Sequence, residues 1–213
     1  MDEKYKNIIK THPELFANLP GGIEIIIDEA LIHKMEMEYS TNVGIVYEDE
    51  YITLIKDAVR FADGVVGPYI RAYYKHSGGV SVMVLCEDKM LLLRHFRHSL
   101  RHWMWETPRG FGEFGQTSDE NALRELYEEI GVTPMSIERL GMLVPDAGII
   151  GESVTLYIAR ISPDSSIVTE LHEGIERAAF FSKDQIKEAI VSGEITDGIT
   201  IASLTYAELR GYI

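Results

Sequence analysis

Glu125, Glu128 and Glu129 stand at i, i+3 and i+4 in the run Arg124-Glu125-Leu126-Tyr127-Glu128-Glu129-Ile130-Gly131-Val132. On a helix this spacing sets the carboxylates on one face, within reach of one another. Like charges so close destabilise a helix, and a cation drawing on all of them removes the penalty. Oxygen donors suit a hard divalent ion such as Mg²⁺ or Mn²⁺. Taken alone, Glu-x-x-Glu-Glu is more often a solvated acidic face. Two features shift the weight toward chemistry. Arg124 precedes the first glutamate, and a glycine-rich loop (Gly110, Gly112, Gly115) leads straight into the run.

These carboxylates need a fixed helix beneath them. Ala122, Leu126 and Ile130 recur at i, i+4 and i+8 and form a core-facing stripe on the opposite side. Thr117 with Glu120 reads as a capping box that starts the helix, and Gly131 as its stop. Upstream, Arg97, Arg101 and Arg109 concentrate positive charge in HFRHSLRHWMWETPRG, residues 95–110. Guanidinium forks bind phosphates well, yet they also neutralise neighbouring carboxylates. Arg97 is balanced between these readings, and Arg101 is expected to be a neutraliser. Trp103 and Trp105 alternate as core residues of a strand. His95, His98 and His102 lack a partner cysteine or a second tight histidine pair, so no zinc site is expected.

The segment 110–132 resembles the Nudix box, G-x5-E-x7-R-E-U-x-E-E-x-G-U with U aliphatic. Gly110, Arg124, Glu125, Leu126, Glu128, Glu129, Gly131 and Val132 fall in register, and Gln116 replaces one glutamate. Arg97, then Trp105-Glu106-Thr107-Pro108-Arg109-Gly110, resembles the lead-in of the ADP-ribose pyrophosphatase branch, with Arg109 in place of an alanine and Thr107 in place of a leucine. Within that resemblance the backbone carbonyl of Arg109 joins Glu125, Glu128 and Glu129 as a metal ligand. Glu106 and Arg97 bind substrate, and Arg124 orients a box carboxylate. The spacing of Pro145, Gly148 and Glu152 resembles the branch's loop that carries the general base, which nominates Glu152. A lone glutamate at a loop-to-strand junction is otherwise a solvated residue. Glu173 and Glu176 are the alternatives.

Composition bounds the rest. The chain has 213 residues, 46% hydrophobic and 25% charged, enough for one large domain with an appended piece. With 34 acidic and 20 basic residues the net charge is −14, which disfavours a nucleic-acid backbone as partner. Cys86, alone in an apolar run, is expected to be a buried thiol. No run approaches the ~20 apolar residues of a membrane span, and the charged start MDEKYKNIIK lacks an apolar signal core. A soluble, cytoplasmic protein is expected.

Residues 1–45 read as an N-terminal α/β extension, a cap or dimer contact, and 46–213 as the main domain. Strands are expected at Val43–Tyr47, Tyr51–Phe61, Val65–Tyr74, Val80–Leu85, Met90–Arg94, Ser136–Val144, Ser153–Ile161 and Glu176–Phe181. Helices are expected at Lys183–Val191 and Thr196–Leu209. The fold implied is α/β, the Nudix α/β/α sandwich with a mixed sheet. The function implied is Mg²⁺-dependent hydrolysis of a nucleoside diphosphate linked to another moiety, with ADP-ribose first. The alternatives are another nucleoside diphosphate sugar, or a non-catalytic nucleotide-sensing module kept open by Gln116. Relatives in this branch imply a homodimer.

Overall fold

The structure, a computed structural model, describes residues 2–76, 78–169 and 174–213. Contacts divide the chain into two units, residues 1–75 with 146–151, and residues 76–145 with 152–213.

In the first unit Asp2 caps α1 (Glu3–Thr11) by accepting from the Lys4 amide, and Pro13 opens a 3-10 turn through Phe16. There follow β1 (Glu24–Ile25), α2 (Glu29–Tyr39), β2 (Gly44–Glu48), β3 (Ile52–Arg60) and β4 (Val66–Tyr74). Strand β3 is the hub, antiparallel to β1, β2 and β4. Tyr5, Ile8, Ile26, Ile32, Met35 and Ile55 form the core. The buried Asp57 accepts from the Tyr5 hydroxyl at 2.5 Å and from Arg71 Nε at 2.6 Å. Residues 146–151 belong here because Ala72 exchanges backbone bonds with them: its N–H reaches Ile149 O at 2.7 Å, and its carbonyl takes Gly151 N–H at 3.1 Å. The contact division falls after Lys75. The physical reason is pairing: β2, β3 and β4 form a sheet of their own with β1.

The second unit runs β5 (Gly79–Cys86), β6 (Lys89–Arg97), β7 (His102–Glu106), β8 (Arg109–Phe111), α3 (Ser118–Ile130), β9 (Ser136–Leu143), β10 (Val154–Arg160), β11 (Ile175–Ser182), α4 (Lys183–Ser192) and α5 (Gly198–Leu209). The sheet order is β11-β6-β5-β10-β9; β10 is parallel to β5 and the other pairings are antiparallel. Side-chain alternation sorts the core into two layers. Val80, Val82, Val84, Leu91, Leu93 and Tyr157 meet Ala122, Leu126 and Ile130 of α3. Met83, Leu85, Leu92 and Ile158 meet Ile186 and Ala189 of α4 and Leu204 and Ala207 of α5. Each fully buried Leu or Ile stabilises the fold by roughly 1.5–3 kcal/mol. This is the expected α/β/α sandwich. Among the described residues no helix is long and apolar enough to cross a membrane.

One departure from simple pleating creates room for chemistry. Strands β5 and β6 pair only over Val84–Cys86 and then part. Strand β7 continues along β6 while β8 continues along the start of β5. The turn Thr107–Pro108 lies in the resulting fork, where the Pro108 carbonyl accepts from the Val82 amide at 2.9 Å.

Candidate active site

The acidic helix is built as its ends demand. Thr117 and Glu120 form a reciprocal capping box, and Gly131 takes the left-handed conformation (φ 70°) that closes the helix. Tyr157 of β10 donates to Asp119 at 2.5 Å and ties the first turn to the sheet. Glu125 and Glu129 are buried, and Glu128 is half-exposed.

Arg124 holds the carboxylates together. Its Nη2 donates to Glu125 Oε1 at 2.7 Å and to the Phe111 carbonyl at 2.8 Å, and its Nη1 donates to Glu128 Oε2 at 2.5 Å. Glu129 Oε2 accepts from the Arg109 amide at 2.9 Å. Gly110 admits the Glu125 carboxylate against the β8 backbone, where any Cβ would collide with it. Glu125 and Glu129 thus lie on β8, and Glu128 is joined to it through Arg124. Among the described residues no three His, Cys, Asp or Glu side chains converge on a single point as metal ligands. Two of the carboxylates are turned onto Arg124 and the third onto an amide. The donor set, oxygen throughout and packed against a glycine, fits a hard divalent ion.

The fork carries a second cluster. Along β6 the face toward α3 changes from Leu91 and Leu93 to His95 and Arg97, and β7 places Glu106 opposite Leu93. Glu106 is 1% exposed, with two guanidinium groups and an imidazole against it. Arg97 Nη2 lies 2.6 Å and His95 Nδ1 2.8 Å from Oε1; Arg109 Nη2 lies 2.7 Å from Oε2. Burial pushes the Glu106 carboxyl up, but the His95 hydrogen bond and the charges of Arg109 and Arg97 outweigh it and leave it below the ordinary glutamate range. Arg109 Nη1 also reaches Asp197 Oδ1 at 2.9 Å. Asp197 caps α5 through Oδ2, which accepts from the Thr200 amide and hydroxyl at 2.8 and 2.7 Å. Thr200 Oγ1 in turn accepts from the Thr107 amide at 2.9 Å.

The structure therefore gathers Glu125, Glu128, Glu129, Arg124 and Arg109 at one place and links Arg97 and Glu106 to it through Arg109. Gln116 donates to Glu113 Oε2 at 2.6 Å on the loop, and Glu113 Oε1 lies 3.8 Å from Arg124 Nε. Glu152 is half-buried and lies two residues before the Val154–Gly79 pair, on the β10 side of β5, while Gly110 pairs with Val80 on the other side. Glu176 is taken by Arg94 at 2.8 Å, and Glu173 lies outside the described residues. Arg101 reaches His98 at 2.8 Å and lies over the Phe96 ring. Sequence reasoning missed His95, Asn121, Asp197 and Thr200. Asn121 Oδ1 fixes the loop by accepting from the Glu113 amide at 3.0 Å. Asp197 could have been found as the capping residue of T-D-G-I-T, directly before the last helix.

The chain belongs to the NUDIX family: the NUDIX domain matches residues 75–198, which hold the fork, the acidic helix and the start of α5. It is a Nudix hydrolase. It is similar to the ADP-ribose pyrophosphatase of Bacillus subtilis (strain 168), 26% identical over 168 residues, spanning 78% of this chain and 89% of that one. It is also similar to the CMP-5'-(N-acetyl-N-hydroxy-3-aminopropyl)phosphonate hydrolase of Streptomyces rubellomurinus (strain ATCC 31215), 24% identical over 170 residues, spanning 78% and 81%. Among solved structures, an ADP compounds hydrolase shares the fold with a TM-score of 0.63 at 19% identity, over 80% of this chain and 93% of that one.

Proposed function

We propose that this hydrolase cleaves the diphosphate of a nucleoside diphosphate linked to another moiety, with ADP-ribose giving AMP and ribose 5-phosphate as the first substrate. The observation that carries this reading is the set of Glu125, Glu128 and Glu129 beside β8, with the guanidinium groups of Arg97 and Arg109 in the adjoining fork. Carboxylates beside guanidinium groups offer one surface for a cation and another for phosphate. Mg²⁺ or Mn²⁺ would be held by Glu125, Glu128, Glu129 and the Arg109 carbonyl, and it supplies charge neutralisation and an acidified water when bound.

The chain's own groups do the rest. Arg97, aimed by its bonds to Glu106, donates to phosphate oxygens. With Arg97, Arg109 and His95 already on it, Glu106 serves substrate by aiming Arg97. Arg124 orients Glu125 and Glu128. Glu152 takes the proton from the attacking water. Incubation with ADP-ribose and Mg²⁺, followed by chromatography for AMP, tests the reading; intact ADP-ribose at high enzyme concentration overturns it. The same reading makes the enzyme a cytoplasmic homodimer with residues 1–45 at the dimer contact, which light scattering checks. The similarity to a hydrolase of a CMP conjugate favours a second reading, another nucleotide conjugate or nucleoside diphosphate sugar, and a substrate panel separates the two.

A further inference from the structure

Arg109 acts at both of its ends. Its amide donates to Glu129 Oε2 at 2.9 Å. Its guanidinium spans two buried carboxylates, Glu106 Oε2 at 2.7 Å and Asp197 Oδ1 at 2.9 Å. Both acceptors are held from elsewhere. Glu106 is gripped by Arg97 and His95 on β6, and Asp197 is the N-cap of α5. The guanidinium is therefore a crosspiece between β7 and α5, and the residue carrying it lies in a three-residue strand on β5, flanked by the Val82–Pro108 and Gly112–Gly78 backbone bonds. That pairing ties β8 to β5 but not to α5. The Arg109 side chain adds ties to Glu106 and to the cap of α5 that this pairing does not supply.

We propose that Arg109 and Asp197 are positioning residues: the side-chain clamp from Glu106 to Asp197 fixes the β8 amide that aims the Glu129 carboxylate. This rests on the proposed role of Glu129 in holding a divalent ion. Asp197 divides its two oxygens between these tasks, with Oδ1 on Arg109 and Oδ2 on the cap. The tasks can therefore be separated. Asparagine caps a helix about as well as aspartate but carries no charge for the guanidinium. Groups that orient a metal-holding residue without touching the ion change its affinity about 10–100-fold when removed.

The experiment titrates Mn²⁺ into wild type, Asp197→Asn and Arg109→Lys without substrate. Free ion is followed by electron paramagnetic resonance, with thermal melting and ADP-ribose kinetics run in parallel. The expected result is Mn²⁺ binding at least about tenfold weaker in Asp197→Asn at an almost unchanged melting temperature, with a smaller loss in Arg109→Lys, whose ammonium still reaches one carboxylate. Should Asp197→Asn fail to fold, Arg109→Lys carries the same comparison. Wild-type Mn²⁺ affinity in folded variants overturns the clamp, whatever happens to turnover. A wild type that neither binds Mn²⁺ nor releases AMP overturns the proposed function, and the clamp with it. A wild type that does both, with indistinguishable variants, removes the clamp alone.

Discussion

The Glu125 carboxylate lies directly over the Cα of Gly110: a Cβ at that glycine would stand 2.1 Å from Oε2 and 2.2 Å from Cδ. Neither atom can stay where it is if residue 110 gains a methyl group. The obstructing atoms belong to the end of a side chain, so the carboxylate moves and the backbone need not. Gly110→Ala is expected to lower turnover at least tenfold, about 1.4 kcal/mol in barrier, while the protein still melts cooperatively. A variant that keeps full turnover at saturating Mg²⁺ shows that the Glu125 position does not matter.

Arg124 neutralises Glu125 and Glu128 and anchors the Phe111 carbonyl. Arg124→Gln leaves the two carboxylates facing each other and is expected to cost about 1–2 kcal/mol, tempered by the solvent around Glu128. A cation relieves the repulsion that Arg124 no longer does, so Mg²⁺ is expected to raise the melting temperature of the variant more than that of wild type. Differential scanning fluorimetry with and without 10 mM-scale Mg²⁺, on the order of a saturating dose, reads both effects. Equal Mg²⁺ shifts in the two proteins count against the shared-carboxylate view.

Glu106 is a buried charge held by the guanidinium groups of Arg97 and Arg109. Replacing one member of such a group costs about 3 kcal/mol or more. Glu106→Gln is therefore expected to lower the melting temperature by roughly 6–12 °C. Urea denaturation gives the free energy directly, and a loss below about 0.5 kcal/mol contradicts the burial argument.

Tyr5 donates to Asp57 in the core of the first unit. Burial, and after it the Asp57 charge, pushes the Tyr5 hydroxyl far above the ordinary tyrosine range. The raised value belongs to the folded state, so the unfolded chain ionises first. The stabilisation is full below about pH 10 and falls as pH rises past it. Tyr5→Phe is expected to be about 1–2 kcal/mol less stable than wild type near neutrality. That gap should narrow above about pH 10, measured by urea unfolding across the alkaline range. A gap that widens with pH reverses the sign and rejects the assignment.

Local signals in the sequence located the acidic helix well. The apolar stripe, the Thr117–Glu120 box and Gly131 are all read within one short segment, and the structure uses each of them. The fork was not legible. Gly110 reads as part of a glycine-rich loop, whereas it pairs with Val80 in β8 because the parting of β5 and β6 leaves an edge to fill. Arg97 reads equally as a phosphate ligand or a neutraliser, and only the fold brings it onto Glu106. Arg109 and Asp197 are 88 residues apart, and no local pattern joins an arginine near a strand to the cap of the last helix. The pairing of β1 with β3 inside the first unit is likewise set by no local pattern.

The change of character along β6, from Leu91 and Leu93 to His95 and Arg97 on a single side, has a consequence for how such an enzyme can diversify. A strand presents alternate residues, so a one-residue slip within β6 would carry Arg94 and Phe96 into the fork and turn His95 and Arg97 away. A length change inside this strand therefore needs a bulge to keep His95 and Arg97 in the fork. New specificities have to arise by exchanging the side chains at alternate positions, or in the loops where the chain tolerates growth.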